Sequence, residues 1–189
     1  MLYHASPVKN IVQLEPRISN HGIPLIYFSR KKENVLVYLS NAVEKYCKET
    51  GFEWYGNWSK WGPYGFTKDK IQRLVEYYPN ALIDTYKGVS AYIYSVEENT
   101  NTENFEEIPD AVTVKVPARV YNSEFIPDAY SEILKAEKES KIVITRYEEM
   151  SDKERAWLQR VIPKEYENGQ ADYRYFLMAK FPNIIKKYT

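Results

Sequence analysis

Apolar positions along this chain alternate between a two-residue and a three-to-four-residue period, which divides it into short strands and helices. Residues 2–4 read as a short strand, turned by Ser6-Pro7, and 11–14 as a second short strand or turn closed by Pro16. The apolar and aromatic run 23–29 predicts a strand. Val35, Leu36, Leu39, Ala42 and Val43 fall at helical spacing and predict a helix over 30–46, with Gly51 ending the run. Thr67 is placed to cap a helix reaching about residue 78, and 81–84 and 88–96 read as strands. In the latter, Val89, Ala91, Ile93 and Ser95 alternate with Ser90, Tyr92, Tyr94 and Val96, so both faces are expected to be partly buried.

The acidic, Asn/Thr-rich stretch 97–107 predicts a surface loop. Alternation over 111–121 predicts a strand in which Pro117 marks a sheet edge or a bulge. Pro127 breaks the chain after Phe125-Ile126, Asp128 can cap a short helix, and 142–145 is another strand. Ser151 with Glu154 three residues later has the capping-box pattern for a helix through Arg160. Residues 172–180 predict a last helix, ending before Pro182. Strands and helices mix without regular βαβ order, which predicts an α+β fold. A length of 189 residues suits one domain, 1–189. Its aromatic-rich insertion at about 52–66 holds Trp54, Tyr55, Trp58, Trp61, Tyr64 and Phe66.

Composition narrows the chemistry. Hydrophobic residues make up 44% of the chain, enough for a core. Lys+Arg and Asp+Glu each number 26, so no broad electrostatic pull toward nucleic acid or anionic membrane is expected. The glycines, at 22, 51, 56, 62, 65, 88 and 169, form neither a GxGxxG nor a phosphate-loop spacing. A lone cysteine, Cys47, excludes an internal disulfide and a Cys-based zinc cluster, and no metal site is expected. No stretch approaches the ~20 apolar residues of a membrane span. Leu2-Tyr3-His4 lacks the order of a secretory leader, so a soluble cytoplasmic protein is expected. With only His4 and His21 available, a Ser-His-Asp triad or a multi-histidine metal site must use one of them, and nothing local supports either.

Three separated segments read together point to a cofactor. Tyr3-His4-Ala5-Ser6 resembles the aromatic-His-Gly-Ser/Thr opening strand of poly(ADP-ribose) polymerases and diphtheria-type toxins. Residues 22–29, Gly-Ile-Pro-Leu-Ile-Tyr-Phe-Ser, look like their Gly-x-Gly-Ile-Tyr-Phe-Ala strand. Tyr38 follows Tyr27 by 11 residues, the spacing of their two stacking tyrosines. Residues 121–126, Tyr-Asn-Ser-Glu-Phe-Ile, are similar to the strand holding their catalytic glutamate, and the order His, Tyr, Tyr, Glu is also theirs. The resemblance covers about the first 45 residues and 111–128.

The resemblance implies an ADP-ribosyltransferase-like split β-sheet with flanking helices, taking NAD as substrate. Glu124 would hold the nicotinamide-ribose 2′-hydroxyl and polarise the ring that becomes an oxocarbenium-like cation. Tyr27 and Tyr38 would sandwich the nicotinamide, each ring face adding roughly 0.5–1.5 kcal/mol beyond burial. His4 would bond the adenosine-side ribose and the Ala5 backbone the carboxamide. The activity implied is ADP-ribosyl transfer to a protein, nucleic acid or small molecule, or NAD hydrolysis. Val35 stands where the family helix offers the carboxamide a serine, a hydrogen bond of about 0.5–1.5 kcal/mol. That departure keeps a second reading open, a non-catalytic domain that retains the fold and binds a nucleotide or a protein. Related tRNA 2′-phosphotransferases imply clustered arginines, whereas Arg17, Arg30, Arg73, Arg119 and Arg146 are scattered. Each candidate also has an ordinary role: Tyr27 in a packed strand, Tyr38 on an apolar helix face, and Glu124 as a solvated carboxylate, with Glu132 an alternative in a helix.

Overall fold

The computed structural model describes residues 1–18, 22–56, 64–99 and 101–186. In chain order come β1 (Leu2–Ser6), β2 (Gln13–Leu14), β3 (Arg17–Ile18), β4 (Pro24–Ser29), a 3-10 helix (Lys32–Tyr38), α1 (Ala42–Thr50), β5 (Gly65–Phe66) and β6 (Gln72–Val75). There follow α2 (Ala81–Tyr86), β7 (Ala91–Val96), β8 (Thr102–Asn104), β9 (Ala111–Val114), β10 (Ala118–Arg119), β11 (Asn122–Ile126) and α3 (Ala129–Lys138). The chain closes with β12 (Ile142–Thr145), a 3-10 turn (Tyr147–Glu149), α4 (Asp152–Asn168), α5 (Ala171–Lys180) and α6 (Pro182–Ile185). The fold is α+β. Two compact units divide the residues: Met1–Leu39, Phe66–Gln72 and Gly88–Ile142 make the first, and Ser40–Gly65, Arg73–Lys87 and Val143–Thr189 the second.

The first unit is built on a sheet of order β11-β7-β1-β4-β9-β8, with β3 also paired to β4, and every recorded pairing in it is antiparallel. Alternation sorts its side chains between two faces. Leu2, Ile26, Phe28, Tyr94, Val96, Val112 and Val114 join Leu14 in one buried cluster. The opposite face of β1 and β4 carries the 3-10 helix, which α3 also contacts. One joint in this sheet differs from the others. β1 and β7 share five registered residue pairs, whereas β1 and β4 meet at the single pair Tyr3↔Ser29.

The second unit is mainly helical. Its core gathers Val43 and Cys47 of α1, Ala81 of α2, Leu158 and Ile162 of α4, and Phe176 and Leu177 of α5. Besides the pair β10-β2, the chain has a three-stranded sheet of order β12-β6-β5. In the aromatic insertion, Phe52 stacks on Tyr175 at 4.2 Å and Trp54 packs on the helical core, while Trp58 and Trp61 lie outside the described residues, as does His21.

Several elements differ from expectation for identifiable reasons. The helix expected over 30–46 is broken, because the Asn41 side chain accepts the Val43 and Glu44 N–H groups and so starts α1 afresh. The first half is a 3-10 helix in which the consecutive residues Asn34, Val35, Leu36 and Val37 are all buried. The helix expected from Thr67 is the strand β6. The Thr67 hydroxyl accepts from Ile71 N within a tight turn closed by Thr67 N to Ile71 O, with Lys70 at φ 60°. The strand expected over 81–84 is α2, whose Leu82 N–H is received by the buried Glu76 carboxylate. The acidic stretch expected as loop contains β8, a polar edge strand pinned by Lys115 to Glu103. The expected long strand ends at Val114, before Pro117, and its continuation β10 pairs with β2 instead.

Other expectations match. Gly51 closes α1 at φ 71°, a conformation open to a residue without Cβ. Asp128 caps α3 through Ser131 N, and Ser151 with Glu154 forms the capping box of α4, which runs eight residues past Arg160 to Asn168.

Candidate active site

His4, Ala5, Tyr27, Tyr38 and Glu124 all belong to the first unit. Registration through β7 sets His4, Tyr94 and Ser123 side by side, and likewise Ala5, Ile93 and Glu124. Successive residues on a strand face opposite ways, so Glu124 and Ala5 share one face and His4 lies on the other. Tyr27, two residues from Ser29, falls with Tyr3 and Ala5 on the Glu124 face. The structure therefore gathers Ala5, Tyr27 and Glu124 on one side and separates His4 from them. β1 and β11 stand two strand spacings apart, roughly 10 Å.

His4 is held at the weak joint. Its Nδ1 donates to the Tyr27 carbonyl oxygen at 2.9 Å, tying β1 to β4 just past their single registered pair. A carbonyl only accepts, so Nδ1 carries the hydrogen and Nε2 of the neutral ring is left as an acceptor. Burial pushes the imidazole below its ordinary value, against the bond to Tyr27, and the Arg17 charge pushes the same way as burial. The ring meets Phe28 edge-on at 5.8 Å.

Glu124 sits on the edge strand β11 with its side chain half exposed, and its Oε1 receives Lys32 Nζ at 2.6 Å. Sequence reasoning missed Lys32. Its place shows only once the segment is a 3-10 helix, in which residues three apart stack and Lys32, Val35 and Tyr38 occupy one side. Val35 on that side is 4% exposed and Tyr38 is 39% exposed, so the helix offers a cation at one end and an accessible ring at the other. Tyr27 is braced edge-on by Phe105 at 5.9 Å, another partner not foreseen. Glu132 sits in the first turn of α3 and pairs with Lys135.

Among the described residues, no group of three or more His, Cys, Asp or Glu side chains is placed to hold a metal ion, and no helix is long and apolar enough to cross a membrane. No protein family, curated protein or solved structure matches the chain.

Proposed function

We propose that the first unit is an ADP-ribosyltransferase-like domain that binds NAD beside β1, the Tyr27–Tyr38 strand and helix, and the Glu124 strand. It transfers the ADP-ribose to an acceptor, a protein, nucleic acid or small molecule, or hydrolyses NAD. The observation that carries the reading is the His4 Nδ1 to Tyr27 carbonyl bond across a joint otherwise registered only at Tyr3↔Ser29. It brings the His4 and Tyr27 segments, which the resemblance expects at one ligand, into direct contact. A dinucleotide lying on one face cannot reach both His4 and Glu124. The nicotinamide end would lie on the face that Tyr27 and Glu124 share, with His4 acting there through the Tyr27 carbonyl it holds. Glu124 then accepts the ribose 2′-hydroxyl, after Lys32 yields the carboxylate or shares it, and stabilises the cation left as neutral nicotinamide departs.

A second reading is favoured by two contacts. Lys32 already neutralises Glu124, and buried Val35 offers no hydroxyl, which together describe a domain that binds a nucleotide without turning it over.

Calorimetric titration with NAD tests the binding claim that both readings share. The intact chain should bind, and His4→Ala should weaken it by about tenfold, the loss of one good hydrogen bond. An absence of heat at millimolar NAD, or equal affinity in the variant, removes His4 from any dinucleotide site.

A further inference from the structure

The second unit contains a cavity of about 550 Å³, within the usual span for small-molecule sites. It lies wholly inside that unit and is independent of the residues argued above. Tyr77, Tyr78, Tyr147 and Phe181 are among the residues that line it. Two cations, Arg155 and Lys180, reach the same space.

The two cations differ in how they are committed. Lys180 Nζ is bound to Asp84 Oδ2 at 2.6 Å and lies 4.9 Å and 5.2 Å from the centres of the Tyr46 and Tyr78 rings. Its charge is matched. Arg155 stacks over the Tyr147 ring at 5.0 Å and gives one N–H to the Tyr147 carbonyl at 2.9 Å. Among the described residues it has no carboxylate partner. A guanidinium offers five donors in a planar fork suited to carboxylate or phosphate, so most of this one stays unspent beside the cavity. Its position on the Tyr147 ring holds the fork in place, which lowers the cost of ordering it around an anion. Gln159, one turn along α4 from Arg155, and Asn183 add neutral donors and acceptors to the rim.

We infer that this cavity binds a small planar organic anion, with its carboxylate or phosphate on the Arg155 fork and its ring against the tyrosine wall. One unmatched positive charge selects one anionic group, and the aromatic wall selects a ring over an aliphatic chain.

The test uses the intact chain with two probes, AMP and 4-hydroxybenzoate, titrated calorimetrically, with adenosine and inorganic phosphate as partial ligands. At least one probe should bind at sub-millimolar concentration and exceed both partial ligands by roughly tenfold or more. The phosphate and carboxylate probes together report which anion the fork prefers. Arg155→Gln should weaken binding by a similar factor. Because that change also removes the contacts to Tyr147, Ala179→Trp provides a second variant: Ala179 is an exposed lining residue, and the indole fills the space while leaving Arg155 untouched. Binding should be lost there and retained in His4→Ala. Failure of both probes to bind, or binding that survives Ala179→Trp, overturns the inference. So does binding that is lost in His4→Ala, since the anion then sits in the first unit.

Discussion

His4 joins local chemistry to stability. Its folded-state pKa lies below the ordinary 6.5, chiefly because burial disfavours the charged ring. Above that value both folded and unfolded chains hold it neutral, and its contribution is fully present. As the pH falls through 6.5 the unfolded chain takes up the proton first, so stability drains away until the folded pKa is passed. Urea midpoints measured at about pH 7.5 and about pH 5.5 should therefore fall more steeply for the wild type than for His4→Gln. Parallel slopes would show that the imidazole is not kept neutral by the fold. Glu124 and Lys32 belong to a different regime. Both are partly solvated, and such a pair contributes at most about 0–1 kcal/mol, so its interest lies in holding the carboxylate and not in stability.

At the scale of elements, the decisive feature is the division between the Lys32–Tyr38 helix and α1. Asn41 supplies two side-chain hydrogen bonds to the start of α1, and Asn41→Ala should cost about 1 kcal/mol in equilibrium unfolding. No measurable loss would mean that this cap is not formed in solution. The same residue explains why hydrophobic spacing misread this stretch. Apolar positions 35–43 fit one helical period, yet burial of four consecutive residues belongs to a tight helix enclosed on several sides. Thr67 shows a related ambiguity, because a hydroxyl that caps a helix also closes a turn, and only the partner, Ile71 N, tells them apart. Elements with two agreeing signals, such as Ser151 with Glu154 or the alternation of β7, were legible. Polar β8 was not, since edge strands need no apolar face.

At the scale of the molecule, the chain order of the site residues was readable but their facing was not. Facing depends on register: Glu124 pairs with Ile93, and a slip of one residue would have turned it to the His4 side. No string in the sequence encodes that choice. The single-pair joint between β1 and β4 was likewise visible only in the pairing, and the cavity of the second unit only in the packing, since its lining is drawn from α2, the Tyr147–Glu149 turn, α4, α5, α6 and the segments between them. What remains central to the proposal is Glu124 acting on NAD at the face it shares with Tyr27. Chromatographic measurement of nicotinamide freed from NAD tests this most directly. The wild type should release it, with Glu124→Gln slower by roughly a hundredfold or more at unchanged thermal stability. Equal release by both proteins would contradict the assignment of Glu124, and NAD binding without any release would leave only the non-catalytic domain.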